Sequence, residues 1–413
     1  MNTRDRINKF ILFILLFILI LDLNQFVSDK LNIYASISPF ILVCSVILIL
    51  MILPTSSNQI MKLKKTKSFF AFFFIYFTIA TINSYTIEGS TKSIFWGFRY
   101  YLPTLMIFTA VLLSSYHFIS VFGILRMLKT IRALLFINIF IILFSFFTGN
   151  QYFVQFLGRY SGILSNANDA GCSGVILLVI ELYLFRRGYS KYSWLSLPII
   201  IIAIMLTLSK SAFIMTLFIG IYYLISNRRI SIKRRWSFLM LVIPVSLTMI
   251  TYDKYLQYML DPYGFDRFRQ TELFLKGQIN DQTTTNRYSL FIKGWEDIQK
   301  NLFWGSGFYT FHRLDKGTTI GIHNEYLLLL GEGGIFSLLA YCIMLFIFWN
   351  VPYHKYGDIS YLIKAFTLII VLFSLTSHNI LNNKSIIVIL SIMCCMIQKN
   401  RDIPFQNSLS RNI

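Results

Sequence analysis

The sequence predicts an all-α, polytopic integral membrane protein with about twelve transmembrane helices. Of its 413 residues, 56% are hydrophobic, and the mean hydropathy is +0.62. Apolar runs of about 20 residues recur along the chain, and each is long enough to cross a hydrocarbon core of about 30 Å. The formal net charge is +20, but the cations collect in short loops between the runs. There they set the topology and can meet anionic lipid, so we expect no nucleic-acid partner.

The apolar runs define the predicted transmembrane helices in chain order. The first run follows three cations and has no small-residue cleavage site after it, so we expect a retained helix rather than a signal peptide. The predicted helices are residues 10–23, 31–53, 69–84, 93–114, 133–148, 169–185, 193–208, 211–225, 236–252, 326–349, 361–376 and 386–397.

The loops between these helices alternate in charge, which predicts the topology. Cation-rich loops at 62–67, 126–132, 186–191, 228–235 and 355 would face the cytoplasm together with both termini. The expected organisation is a membrane domain at 1–251, an external periplasmic loop at 252–322 between the ninth and tenth helices, and a second membrane part with a short cytoplasmic tail at 323–413. Within the loop, residues 286–302 have helical apolar spacing, and we expect them to pack onto the membrane domain.

Two polar features lie on the predicted outer face in the first half of the chain. The guanidinium of Arg159 can clamp a phosphate, or it can be an interfacial arginine beside a helix that Asn168 or Asp169 caps. Lys210, in Ser209-Lys210-Ser211, lies at a tight external reversal, against the positive-inside bias. It is either a functional cation or a lysine that reaches water from a turn.

Two further features belong to the long loop and its end. Arg287 opens the predicted loop helix, where free amides and a guanidinium would suit an anion, although arginine is common on soluble loops. His323 lies at the seam between the loop and the tenth helix, which Gly331-Glu332-Gly333-Gly334 interrupts early. A neutral imidazole there can take a proton from a hydroxyl, or it can be a polar anchor at the interface.

Together these three cations and one histidine suit the transfer of a group from a phosphate-linked donor to a hydroxyl acceptor. The cations would stabilise charge on the phosphate leaving group, and His323 would orient or deprotonate the acceptor. The external acids are not clustered as a divalent cation requires, and the five cysteines lie in apolar runs without metal-ligand spacing. We therefore expect neither a metal nor a cofactor.

At these residues the sequence resembles the bacterial O-antigen ligase and polymerase superfamily. Residues 159–168 are similar to the family's Arg-x-x-Gly-x-x-x-Asn-x-Asn stretch, and Ser209-Lys210-Ser211 to its Ser-Arg-(Ser/Gly/Thr) turn. Lys210 stands where arginine is more frequent in the family, which keeps the charge and loses the bidentate geometry.

The second half of the resemblance lies in and after the long loop. Arg287, followed by Gly294-Trp295 and by residues 303–307, is similar to the family's Arg-x(n)-Pro-x-Gly-x-Gly segment, with Phe303 where proline is frequent. His323-Asn324-x-Tyr326 with Glu332-x-Gly334 is similar to its His-Asn-x-x-Leu…Glu-x-Gly signature.

The resemblance implies a metal-independent glycosyltransferase of GT-C-like architecture in the bacterial inner membrane. It would move a glycan from undecaprenyl pyrophosphate to an acceptor sugar at the outer face. Arg159, Lys210 and Arg287 would grip the pyrophosphate, and His323 would activate the acceptor hydroxyl. Supporting positions would be Asn324, Tyr326, Glu332 and Arg99.

Three functions remain open. An O-antigen polymerase of lipopolysaccharide biosynthesis joins one lipid-linked repeat unit to another and works with a chain-length regulator. An O-antigen ligase attaches the finished polysaccharide to lipid A-core. A polysaccharide flippase or transporter would need charges at span centres, where only Arg99 and Glu181 stand; Arg99 either faces the donor headgroup or pairs with Glu181.

Overall fold

The computed structural model describes most of the chain, and most of the described residues lie in helices. The described residues are 3–30, 38–60, 64–86, 91–155, 159–189, 193–226, 287–311, 322–377 and 380–399, with the single positions 273 and 277. The ninth predicted helix at 236–252 and most of the predicted loop at 252–322 lie outside them.

Fourteen α-helices lie in these described ranges, with one small sheet. A 3₁₀ turn, Gln151–Phe153, leads into strands β1 (Val154–Gln155) and β2 (Arg159–Tyr160), which pair antiparallel with Gln155 opposite Arg159. The helices are α1 Thr3–Ile20, α2 Leu23–Lys30, α3 Ser38–Ile60, α4 Lys64–Thr86, α5 Thr91–Phe122, α6 Ile124–Thr148, α7 Ala167–Arg186, α8 Ser193–Leu206, α9 Lys210–Ser226, α10 Arg287–Lys300, α11 Glu325–Trp349, α12 Tyr353–Tyr356, α13 Asp358–Ser374 and α14 Lys384–Lys399.

The helices have the length and composition of membrane spans. Five of them (α4, α5, α6, α7 and α11) are long and apolar enough to cross a bilayer, and α3, α8, α9 and α14 contain shorter apolar stretches. The all-α membrane class is therefore confirmed, while the number of twelve spans stays a prediction. Helix α10 lies within the stretch 286–302 that the apolar spacing marks as helical. Helix α2 was not predicted.

Helix α7 forms the centre of one half of the bundle, where it packs against α6, α8, α9 and α13. Its residues are buried from Ala170 to Leu184. Small residues let the neighbours approach closely: a Cβ at Gly171 would lie 2.5 Å from the Ala212 Cβ, and one at Gly174 would lie 2.6 Å from Ile204 Cγ1.

Polar contacts join the helices at both ends of the bundle. At one end, Arg186 Nε lies 2.8 Å from Asp358 Oδ1, and Lys65 Nζ donates to the Phe348 carbonyl at 3.2 Å. At the other end, Asn383 Nδ2 donates to Asp169 Oδ1 at 2.9 Å. The first end carries the loops predicted to be cytoplasmic and the second carries those predicted to be external. The side of the membrane that each end faces stays a prediction.

Helix α11 is interrupted at Gly334, within the glycine run that predicts a break. The backbone there has φ +67° and ψ −171°, a conformation that is essentially restricted to glycine. The turn after α10 lies in this interruption: the Ser306 N–H donates to the Gly331 carbonyl at 2.7 Å, and the Gly307 N–H to the Glu332 carbonyl at 3.0 Å. The helix break is therefore a docking point for residues 303–309.

We expect Gly334→Ala to destabilise the fold more than a matched glycine substitution. Gly123 has a similar backbone, with φ +82° and ψ 157°, but no atom within 4 Å of an added Cβ. A Cβ at Gly334 would overlap the Phe303 carbonyl. Gly123→Ala should cost about 1–3 kcal/mol of backbone strain, and Gly334→Ala about 1–3 kcal/mol more. The thermal midpoints of the two variants in one detergent measure the difference, and equal midpoints would show that the turn is not docked in the break.

Candidate active site

A polar cavity of about 220 Å³ opens at the end of the bundle that carries His323. Its walls come from the α1–α2 turn, helix α5, the start of α7, His323 just before α11, and the turn between α13 and α14. The lining residues are Leu19, Asp22, Gln25, Tyr100, Leu164, Asn166, Asn168, Asp169, His323, Thr376, Ser377, Asn382, Asn383, Lys384 and Ser385.

His323 is held at the cavity by the start of α11. Asn324 caps the helix, since its Oδ1 accepts from the Leu327 N–H at 3.1 Å. Tyr326 donates its hydroxyl to the Val371 carbonyl at 3.2 Å, which ties this segment to α13. The backbone of His323 has φ +44°, an uncommon conformation for a residue other than glycine. The two predicted supporting residues, Asn324 and Tyr326, thus anchor the segment that presents the imidazole.

Arg159 is buried beside the same cavity. Its Nη2 donates to Asn168 Oδ1 at 2.7 Å, and its Nε donates to the Thr207 carbonyl at 3.2 Å. Both of these acceptors are neutral groups, and they orient the guanidinium. Asn168 lines the cavity and Arg159 does not. The asparagine is therefore the link between the arginine and the space that His323 faces.

The Ser209-Lys210 turn joins this cluster. Ser209 Oγ donates to Asn168 Oδ1 at 3.0 Å, so Asn168 accepts from both Arg159 and Ser209. Lys210 is half-buried and begins α9. Lys210 is not among the residues that line the cavity, but the turn that carries it lies against the Arg159–Asn168 pair. The structure thus brings the predicted stretches around Arg159 and Lys210 together.

The helix cap at the start of α7 differs from the prediction. Neither Asn168 nor Asp169 caps the helix; Asn166 does, with its Oδ1 accepting from the Asn168 N–H at 2.8 Å. Gln155 Oε1 accepts from the Ala167 N–H at 2.8 Å and ties the small sheet to the same helix start. The side chains of Asn168 and Asp169 are left to face the cavity.

Arg287 is the first residue of α10, as the predicted helix start requires. The helix packs on α11 through Ile298, which clusters with Phe311, Leu327 and Leu328. The side chain of Arg287 is not among those that the structure describes, so its approach to the cavity stays a prediction.

Arg99 lies on the exposed surface of α5, next to the cavity residue Tyr100. Its guanidinium carbon lies 5.1 Å from the centre of the Trp96 ring, a cation–π contact. The alternative pairing of Arg99 with Glu181 is wrong, because the buried Glu181 carboxylate pairs with Arg132.

Glu332 lies away from the cavity lining and organises the turn docked in α11. Its buried carboxylate accepts from the Tyr76 hydroxyl and, at 2.8 Å, from the Tyr309 N–H. The Tyr76 and Tyr101 hydroxyls lie 2.9 Å apart. Since leaving such buried donors unpaired is costly, Glu332 fixes the turn to helices α4 and α5.

The sequence reasoning missed one wall of the cavity. After the turn between α13 and α14, Lys384 pairs with Asp22 of the α1–α2 turn, and Asn383 holds Asp169. Asn382 Oδ1 accepts from the Thr104 hydroxyl at 3.0 Å. The signal was present, because Asn382-Asn383-Lys384 interrupts two apolar runs on the predicted outer face as the Ser209-Lys210 turn does.

The fold and the cavity together define a multi-helix membrane protein with a histidine-bearing polar pocket at one end of its bundle. Residues 195–342 match the family model described as O-Antigen ligase. The resemblance to the O-antigen ligase and polymerase superfamily is therefore confirmed over the residues that this match covers, which include Lys210, Arg287, His323 and Glu332. Members of this family are membrane glycosyltransferase-like enzymes, and the family and the apolar helices together indicate a bacterial membrane protein. Neither the curated proteins nor the solved structures gave a match.

Proposed function

We propose that the chain is a membrane glycosyltransferase that moves a glycan from undecaprenyl pyrophosphate to the hydroxyl of an acceptor sugar without a metal. The observation that carries the proposal is the cavity that His323 and Asn168 line together, since Asn168 also holds Arg159 and the Ser209-Lys210 turn. A proton acceptor thereby lines this polar space, and Arg159 and the turn that carries Lys210 lie behind it, joined to it through Asn168.

The cations act on the donor. Arg159, Lys210 and Arg287 bind the pyrophosphate, and the bond between the sugar C1 and the phosphate oxygen breaks with its electrons moving to that oxygen. The developing charge is stabilised by fixed cations in a site of low dielectric, where such stabilisation is strongest. The two hydrogen bonds that Arg159 donates, to the Thr207 carbonyl and to Asn168 Oδ1, support this role because they hold the guanidinium beside the cavity.

His323 acts on the acceptor. The acceptor hydroxyl attacks C1 and gives its proton to the imidazole. Other residues of the cavity lining support sugar binding: Asp22 and Asp169 offer carboxylate oxygens, and Asn166 and Asn382 offer amides. Carboxylate and amide side chains suit a polyol because together they provide acceptors and donors.

The acceptor distinguishes the two candidate functions. We place the polymerase first, with another lipid-linked repeat unit as acceptor and a chain-length regulator as partner. The sequence pattern that favours it is the compact His323-Asn324-Glu325-Tyr326 run together with Gly305-Ser306-Gly307. The O-antigen ligase, with lipid A-core as acceptor, is the second candidate, and the description of the matching family favours it. In either case the inner membrane, cytoplasmic termini and an active site on the outer face are part of the proposal.

Complementation separates these functions. We expect the full-length chain to restore long glycan ladders in a strain that lacks its O-antigen polymerase, and not in a strain that lacks its ligase. Gel electrophoresis of the lipopolysaccharide is the measurement, with membrane levels of the protein matched by immunoblot. Rescue of the ligase-deficient strain alone would assign the second function. Rescue of neither strain by a protein that transfers glycan in vitro would point to another acceptor.

A further inference from the structure

A second cleft lies at the opposite end of the bundle from the His323 cavity. It has a volume of about 370 Å³ and runs between helices α1, α5 and α6. Arg6 and Lys9 stand at its mouth, and Phe10 and Phe13 line its length. These four residues are three or four positions apart, so they share one face of α1.

The inner part of the cleft is apolar and only partly filled by the protein. Phe10 is 66% exposed and Phe13 is 47% exposed. Leu16 and Met127 are buried and close the floor. A cleft of this kind beside membrane-crossing helices suits an acyl chain.

The mouth of the cleft is strongly cationic. Lys9 Nζ lies 5.3 Å from the centre of the Phe122 ring, and the guanidinium carbon of Arg126 lies 5.6 Å from the same ring. Arg6 and Lys9 line this end of the cleft, and Arg126 lies close to it because it contacts the same ring as Lys9. The one acidic residue of α1, Asp5, has its carboxylate 3.0 Å from His117 Nε2.

We propose that this cleft binds one anionic phospholipid, with its phosphate against Arg6 and Lys9 and an acyl chain along Phe10 and Phe13. The charge of the mouth selects an anionic headgroup over a zwitterionic one, whose own ammonium would be repelled by the three cations. The predicted topology places this mouth in the cytoplasmic leaflet, where anionic lipids attract such basic groups. Binding here is independent of glycosyl transfer at the other end of the bundle.

Native mass spectrometry of the full-length protein in detergent tests this site. We expect dioleoyl-phosphatidylglycerol to bind and dioleoyl-phosphatidylcholine not to bind at the same concentration. An Arg6→Gln/Lys9→Gln double variant should bind phosphatidylglycerol about 25-fold more weakly, since each basic group near an anionic lipid contributes about fivefold. Thr130→Trp adds bulk inside the cleft and keeps every charge, and we expect it to bind no more strongly than the double variant.

Two controls decide the outcome. A Lys92→Gln/Lys293→Gln variant removes two exposed lysines elsewhere and should bind phosphatidylglycerol as the wild type does. Equal losses in this control and the Arg6/Lys9 variant would overturn the proposal, because they would indicate only a general charge effect. Competition by inorganic phosphate at the lipid's own concentration, or unchanged binding by Thr130→Trp, would overturn it as well, since an acyl chain would then have no place in the cleft.

Discussion

His323→Asn is expected to lower the rate of glycan transfer by about 10²–10⁴-fold, the usual contribution of a general base. Asparagine is the sharpest replacement because it tolerates the left-handed backbone that His323 adopts, with φ +44°. It also keeps a polar side chain beside the Asn324 cap. The loss would therefore report the missing proton acceptor rather than a distorted helix start.

The measurement is transfer of a polyprenyl-diphosphate-linked oligosaccharide by the purified full-length protein, followed as product ladders on a gel. His354→Asn is the matched control, because His354 lies on α12 at the other end of the bundle. Activity within a few-fold of the wild type would remove His323 from the chemistry, provided that thermal midpoints agree.

Arg159→Ala is expected to reduce kcat/KM for the donor by about 10–150-fold, since a charged hydrogen bond contributes about 1.5–3 kcal/mol. The substitution removes a buried cation beside the cavity, together with the hydrogen bonds that it donates to the Thr207 carbonyl and to Asn168 Oδ1. The Ser209-Lys210 turn, bound to the same Asn168, should lose its position too. Stability should fall as well, so activity must be expressed per folded molecule.

Arg132→Ala separates the loss of donor kcat/KM from the loss of stability. Arg132 also holds a side chain of α7, the buried Glu181, but about 20 Å along the helix from Asn168. Removing it takes this charged partner away from a buried carboxylate, which is destabilising. We expect Arg132→Ala to lower the thermal midpoint at least as much as Arg159→Ala while keeping the donor kcat/KM. Parallel losses of activity in both variants would make Arg159 a structural residue.

Much of the fold could be predicted because the local sequence of each helix indicates whether that helix lies in the membrane or at a surface. Apolar runs marked the membrane helices, and the spacing of Phe291, Ile292, Trp295 and Ile298 marked α10. The loop charges predicted which loops share an end of the bundle, since Arg186 and Lys65 lie at one end and Asp169 lies at the other. Such signals depend on neighbours in sequence, so no tertiary knowledge was needed.

The site could be predicted only in part, because its contacts join distant segments. His323 was marked by its own chemistry, and Arg159 and Lys210 by their place at span ends. That Asn168 binds the latter two stretches together depends on the packing of α7 against the α8–α9 turn. Glu332 shows the same limit: its motif was visible, but Tyr76, 256 positions away, gives it an organising role in the fold.

The non-helical backbone at Gly334 divides α11 into two helical segments that are joined at this residue. The orientation of the segment that begins beside His323 is not fixed by the longer segment, because the helical hydrogen bonds are interrupted between them. Its aim is set instead by the glycine turn at 305–307, which grips both Gly331 and Glu332. The sequence of this turn, although distant from the imidazole, would thus affect the orientation of His323. Related proteins would then change their acceptor specificity by substitutions in the turn alone.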